Sequence, residues 1–314
     1  MQPNSLPVRA YPCNDEKMEV AAVYEQAVRA GAVAVAGPLT RNGVAALSAN
    51  PDLPVPTLAL NMVESVRTDQ MYFFGLPVEA ESKLAAQWAT KAGLLSAVIV
   101  RTDTALSKRL AVSFSENWQK SGGIIQSEIV YSGDAAPLHA LATDPGNMVF
   151  LAAETDKARL MRPYINKLLP VYAVSQVFAG NSKNLLNYDL GEVHFVDMPW
   201  VVQPDHPAVM IYPRALPPLS QDMERLYALG IDAYRVLQVL YLHEIDNALP
   251  LDGVTGKLSL NGHLIEREAT KSIMRAGQGY PADSKFLPSS ITPQVALENK
   301  ELREKELKES KSKK

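Results

Sequence analysis

The chain has 314 residues, 47% of them apolar and 21% charged, with a formal net charge of −3. That length suggests roughly two domains with an ordinary buried core, and the charge is too small to argue for nucleic acid or an anionic membrane. No apolar run approaches the ~20 residues of a spanning helix, so the body reads as soluble with no membrane contact of its own, and the single cysteine, Cys13, excludes an internal disulfide or a multi-cysteine metal site.

In chain order, Leu6 to Tyr11 is a short strand candidate. Asn14 is placed to cap a helix whose apolar residues Val20, Val23, Tyr24, Ala27 and Val28 recur at helical spacing until Gly31. The unbroken run Ala32 to Ala36 predicts a strand buried on both faces. Gly37-Pro38-Leu39-Thr40 turns into a helix through Leu47, and Pro56 to Leu60 gives another strand. Tyr72 to Val78 reads as an extended crossing into a second lobe. A helix from Glu79 then buries Leu84, Ala85, Trp88 and Ala92 and stops at Gly93. Strands are predicted at 97–100, 124–131, 148–152, 171–174 and 193–196, with helices near 106–121, 134–143 and 155–167. Strands alternating with helices imply parallel sheets and right-handed crossovers.

The last of these strands runs into Asp197-Met198-Pro199-Trp200, where the proline biases Met198 toward extended geometry. Asp197 to Gln203 therefore reads as the return crossing. Ser220 caps a long helix predicted to bury Leu226, Gly230, Ala233, Leu237 and Leu240. Leu251 to Leu260 predicts a small hairpin, and Ile265 to Ala276 fits a strand or a helix. Residues 286–314 read as a charged, disordered tail, since 12 of the 17 residues from Glu298 on are charged.

Three stretches resemble a known family. They are LPVYAVSQVFAGN followed by DLGEVHFVDMPW, AGPLTRNGVAAL with PVPTLALN, and TGKLSLNGHLIEREATKSIMRAGQGYPA. Together they resemble the C-terminal domain of LpoA/LppC-type penicillin-binding protein activators, over most of the chain to about Asp283. The resemblance implies an α/β, two-lobed, type I periplasmic-binding-protein-like fold with parallel sheets flanked by helices. It assigns residues 1–76 and 198–250 to lobe 1 and residues 77–197 and 251–285 to lobe 2, with a hinge at Val78, Asp197, Met198, Pro199 and Trp200, and it favours a strand at Ile265 to Ala276. Lobes of that type begin with a central strand and helix ahead of Leu6, so lobe 1 is expected to lack its first strand and helix and to show an open edge. The implied function is non-catalytic: a periplasmic regulator of a class A penicillin-binding protein in peptidoglycan synthesis, from a lipoprotein family associated with the outer membrane. Ala10-Tyr11-Pro12 ahead of Cys13 lacks the small residues and apolar stretch of a lipidation signal, and the chain as given shows no secretory signal.

In open parallel α/β sheets, ligands sit beyond the carboxyl ends of the strands. Two facing lobes would place Thr40, Arg41, Asn61, Thr102, Asp103, Glu154, Thr155, Ser175 and Gln176 around one cleft. The same residues serve equally well as helix caps, Thr40 and Asp103 being good N-cap types. An amino-acid receptor needs an anion site and an acidic partner for the ammonium. Thr40, Arg41, Asp103 and Glu154 carry that chemistry, so the alternative function is a periplasmic solute-binding protein with a small molecule in the cleft. Asp103 to Arg109 falls where the family shows an acidic residue, a glycine turn and an arginine, and here Ser107 takes the glycine's place. His139, His194, His206, His243 and His263 have no metal-ligand spacing, and the chain has no G-x-S-x-G elbow, Walker loop or G-x-G-x-x-G. No catalytic residue, cofactor or metal is therefore expected. Arg214 to Leu219, RALPPL, resembles a polyproline II ligand, with a stiff lead-in to the Ser220 helix as the plainer reading.

Overall fold

The computed structural model of the chain describes residues 6–13, 19–50, 52–63, 68–242 and 248–284. Helix α1 (Val20–Arg29) buries Val20, Tyr24 and Ala27, and Gly31 ends it with φ +90°. Strand β1 (Val35–Ala36), helix α2 (Arg41–Ser48) and strands β2 (Thr57–Ala59) and β3 (Met71–Phe73) follow. The chain then enters a second βα series: α3 (Val78–Lys91), β4 (Ser96–Arg101), α4 (Ala105–Lys120), β5 (Ile124–Val130), α5 (Ala136–His139), β6 (Asn147–Ala152), α6 (Thr155–Met161), β7 (Val171–Tyr172), α7 (Asn184–Asn187) and β8 (Val193–Asp197). Short helices α8 (Pro199–Val202) and α9 (Pro207–Met210) lead to α10 (Gln221–Tyr241). Strands β9 (Leu251–Asp252), β10 (Lys257–Asn261), β11 (Leu264–Glu268), β12 (Thr270–Arg275) and β13 (Gln278–Pro281) come last.

Two sheets result. The first has the order β1-β2-β3-β11-β10-β9, parallel from β1 to β11 and antiparallel beyond; the second has the order β13-β12-β8-β7-β6-β4-β5, parallel except at β12 and β13. Each sheet is covered on both faces. On the first, α1 and α2 pack Tyr24, Val44 and Leu47 against Ala59 and Met71, while α10 packs Leu229, Ala233 and Val236 against Leu58 and Leu258. On the second, α3 and α4 bring Ala85, Ala89, Leu110 and Phe114 onto Ile99 and Phe150, and α6 brings Ala158 and Met161 onto the opposite face. This is the two-lobed fold that the resemblance implies.

The lobes exchange chain at three points: residues 74–77, the passage after Asp197, and Ala269 between β11 and β12. The third crossing revises the lobe boundaries expected from the sequence. Residues 251–268 were assigned to lobe 2, yet β9, β10 and β11 belong to the first sheet, where Leu264 pairs in parallel with Phe73. A strand's alternation shows that it is a strand but not which sheet it joins.

Other expectations shift for local reasons. Residues 6–13 form no strand: Pro7 and Pro12 lack the N–H a ladder needs, and the Leu6 carbonyl accepts from the Tyr234 hydroxyl at 3.0 Å instead. The run 32–36 yields only the two residues of β1, an edge strand of its sheet, and Val33 is 44% exposed rather than buried. Pro163 cuts the 155–167 helix short, so α6 ends at Met161 and one 3-10 turn follows. The 134–143 helix is a single turn. The return crossing is extended only at Met198; Pro199 then starts α8, the position where its missing N–H costs nothing. Ala92 and Gly230 are exposed, because the buried faces run through Ser82, Ala85 and Ala89 on α3 and through Ala228, Leu229 and Val236 on α10. Ile265 to Ala276 is strand, in β11 and β12. Asn14, His243 and the 286–314 tail lie outside the described residues.

Candidate functional site

The lobe junction is where the structure concentrates buried charge. Asp197 ends β8, and Arg225 lies one turn into α10. Their side chains are 1% and 7% exposed and meet as a fork, Arg225 Nε donating to Oδ1 at 3.2 Å and Nη2 to Oδ2 at 2.7 Å. Arg225 Nη2 also donates to the Ser175 carbonyl at 2.9 Å. From the other side, Glu81 of α3 accepts the Ser175 N–H at 3.1 Å and pairs with Arg267 of β11 at 2.8 Å, with side chains 6% and 5% exposed. Arg267 donates to the Thr255 carbonyl at 3.1 Å. The Thr255 N–H and hydroxyl donate to Asp232 of α10, at 2.8 and 2.6 Å. The polar chain therefore leaves α10 at Arg225, passes through the second lobe at Asp197, Ser175 and Glu81, and returns to α10 at Asp232. Both buried ion pairs cross between the lobes.

Four full charges in so little water need each other. Burial drives the Asp197 carboxyl above its usual range, with Arg225 opposing it. Burial alone would depress Arg225, but Asp197, and behind it Glu81 and Asp222, outweigh that and hold the guanidinium above its ordinary value. Bidentate pairs of this kind fix geometry, while their desolvation cost cancels most of their attraction. The junction is sealed by an apolar cluster of Met198, Trp200, Val209, Ala228 and Val254. The Trp200 indole N–H donates to Glu224 at 2.6 Å, and the Arg214 guanidinium stacks 3.7 Å above its ring. Arg214 also donates to the Trp200 carbonyl at 2.7 Å, which takes the arginine of the RALPPL stretch into the junction.

The expected hinge residues thus lie at the junction, with Val78 opening α3, Asp197 in the ion pair, and Met198, Pro199 and Trp200 buried. The nine cleft candidates divide into separate local groups. Thr40 caps α2, its hydroxyl accepting from Gly43 N at 3.1 Å; Arg41 is exposed on the first turn; Asn61 donates to the Leu39 carbonyl at 3.0 Å. In the second lobe the Thr102 N–H donates to Ser107 Oγ at 2.8 Å. Asp103 is exposed, and its hydrogen bond with Lys108, 2.8 Å away, holds its carboxyl below the usual range. Glu154 is exposed at the start of α6, while the Thr155 hydroxyl donates to the Gln176 carbonyl at 3.2 Å. Ser175 alone joins the interlobe network. Among the described residues, no hydrogen bond or ion pair joins the first-lobe candidates to those of the second. A groove of about 550 Å³ lies between α3 and α4, lined by Glu79, Lys83, Lys108, Arg109 and Glu116, and none of the nine candidates borders it.

Ser107, in the family's glycine position, has a job of its own: buried, it accepts from Thr102 N–H and donates to the Ala152 carbonyl, tying the ends of β4 and β6 together. The residues that sequence reasoning missed are Glu81, Arg225, Asp232 and Arg267. A signal for three of them existed. Arg225 and Asp232 fall in register with Ala228, Leu229 and Val236, and Glu81 with Ala85 and Ala89, which puts charges on faces that must be buried. Among the described residues, no group of three or more His, Cys, Asp or Glu side chains is arranged to hold a metal ion, and no helix is long and apolar enough to cross a membrane.

A family model described as LppC putative lipoprotein matches residues 3–144 and 139–277. The chain belongs to the LppC family. Penicillin-binding protein activator LpoA from Dickeya chrysanthemi is 26% identical over an alignment covering 88% of this LppC chain and 47% of that protein. The activator of the same name from Aliivibrio fischeri is 25% identical, with 72% and 43% covered. The chain spans about half the length of these curated relatives. Among solved structures, one described as a putative branched-chain amino acid ABC transporter from Chromobacterium violaceum is 35% identical, with a TM-score of 0.72 over 82% of this chain and 85% of that one. The LpoA C-domain from Haemophilus influenzae, described as a regulator of PBP1A, is 23% identical, with a TM-score of 0.68 over 84% and 86%. The LppC chain thus shares its two-lobed, type I periplasmic-binding-protein-like architecture with both.

Proposed function

We propose that this LppC chain is a non-catalytic, periplasmic regulator, associated with the outer membrane, that activates a class A penicillin-binding protein in peptidoglycan synthesis. The observation that carries this reading is the family match over both lobes, together with relatives named as penicillin-binding protein activators. The nine cleft candidates form separate local groups, and among the described residues no hydrogen bond or ion pair joins those of one lobe to those of the other.

The solute-receptor reading is kept for one observation, the 35% identity to the Chromobacterium violaceum protein described as a putative branched-chain amino acid ABC transporter. Two measurements separate the readings. Ligand that binds only the folded chain stabilises it by RT ln(1 + [L]/Kd), about 2.7 kcal/mol at a hundredfold excess. We expect no thermal shift across branched-chain and other amino acids. We also expect the chain to raise cross-linking by a purified class A penicillin-binding protein severalfold. A micromolar amino-acid ligand with no effect on cross-linking would overturn the regulator reading and promote the receptor.

A further inference from the structure

The four sheet edges are not alike. β1 and β9, which flank the first sheet, have two residues each, and β13, at one side of the second, has four. β5, at the other side, has seven, IIQSEIV, and Ile124 and Val130 at its ends are exposed, as is Leu95 beside Ile124. Short edges resist pairing with other chains, and long ones invite it. The main chain shows which groups are free. The Ile124 N–H donates to the Leu95 carbonyl at 2.9 Å and the Tyr131 N–H to the Arg101 carbonyl at 2.8 Å, both inward, toward β4. Peptide groups along a strand point alternately to its two sides. Counting back from Tyr131 therefore leaves Glu128 and Val130 facing outward, and counting on from Ile124 leaves Ile125 outward. The pairing register passes over Gln126, a bulge that reverses the parity between the two stretches. The same bulge explains why Ile125 packs with the α3–α4 core and Ile129, four residues on, with the core of the opposite face. Among the described residues, nothing beyond the β4 ladder hydrogen-bonds the main chain of Ile125, Glu128 or Val130.

Those N–H and C=O groups specify their occupant, because a row of alternating main-chain donors and acceptors is matched by another extended main chain. A charge is the usual guard of an open edge, but here Arg101 of β4 pairs with Glu128 and neutralises it. We infer that β5 receives an extended segment of a partner protein as a further strand of the second sheet. The segment hydrogen-bonds to the main chain of Glu128 and Val130 and continues past the bulge to Ile125, with β-branched or aromatic side chains beside Ile124, Ile129 and Val130. A second copy of the chain fits less well. The antiparallel self-pairing that matches all three outward residues sets Ile125 against Val130 but Glu128 against Glu128. The inference rests on the proposal that the chain works by binding a protein, and it names the surface and the mode.

The test uses the 314-residue chain and a display library of random linear peptides, so it does not presuppose the synthase. Selected peptides are expected to carry runs of β-branched or aromatic residues without proline. Their binding should slow amide hydrogen exchange at Glu128 and Val130 about tenfold or more. N-methylation of every second peptide residue should abolish binding, and methylation of the residues between them should be tolerated, since only alternate N–H groups face β5. Val130→Pro removes an outward N–H and leaves the β4 ladder intact, so it should weaken binding about tenfold with an unchanged melting temperature. Leu216→Glu, at an exposed leucine in the other lobe, should leave binding as it is. If V130P does not fold, the exchange and N-methylation results on the wild type decide. Failure to select a peptide that protects Glu128 and Val130, binding indifferent to V130P, or self-association of the chain through this edge would each overturn the inference. If the peptides behave as expected while a purified class A penicillin-binding protein neither binds nor competes, the edge site stands and the synthase reading fails. If the synthase binds V130P as well as the wild type, the synthase reading stands and this edge is wrong.

Discussion

Replacing Arg225 with leucine isolates what the junction contributes. The substitution leaves the Asp197 carboxylate fully buried with the Met198 N–H, at 2.8 Å, as its remaining donor, and it strips the Ser175 and Phe178 carbonyls of the guanidinium that now reaches them at 2.9 and 3.2 Å. Removing one partner of a buried pair costs about 3–5 kcal/mol, because the other charge stays behind unpaired. Removing both is far milder, since the attraction lost is offset by two desolvation costs that vanish. Asp197→Leu with Arg225→Leu should therefore lie within about 2 kcal/mol of wild type, the remainder being the two orphaned carbonyls. The assay is urea unfolding of the single and double variants, followed through tryptophan fluorescence, with Trp200 fully buried beside the pair. The double-mutant cycle should give a coupling energy of about 3 kcal/mol or more, well beyond that of an exposed pair. If R225L costs less than about 1 kcal/mol, or if the double variant is as unstable as the two singles added together, the pair does not hold the lobes as argued.

Two further outcomes follow from the second lobe. Ser107→Ala removes the hydroxyl that satisfies Thr102 N–H and Ala152 C=O, so urea unfolding should show a loss of about 1–3 kcal/mol; an unchanged midpoint would mean that water replaces the hydroxyl. His194 stacks on Tyr172 at 4.8 Å and meets Trp88 edge-on at 5.2 Å, and burial holds its imidazole below its ordinary pKa of 6.5. Because the folded value is depressed, the stability linked to neutral His194 is present above about pH 6.5 and is lost as the pH falls toward that lower value. The melting temperature of the wild type should accordingly fall relative to His194→Phe between about pH 7.5 and 5. A constant difference across that range would show that His194 does not titrate in this way.

The sequence by itself determined the local layer of this protein. Strands β4 to β8 and helix α4 between the first two follow from apolar runs and turn residues a few positions apart, and caps such as Thr40 and Ser220 are legible because a helix start is settled within one turn. The quoted stretches also carried the family and, with it, the two-lobed plan. Which sheet a strand joins was another matter. β11 and β12 are separated by Ala269 alone, yet they enter different lobes, because Leu264 pairs with Phe73 while Ser272 pairs with Phe195. The junction is likewise non-local: Glu81 and Arg267 stand 186 positions apart, and Asp197 and Arg225 stand 28 apart. No periodicity links such residues. Their charges are tolerable inside the protein only because the tertiary fold brings each against its opposite, so only that fold could decide that they hold the two lobes together.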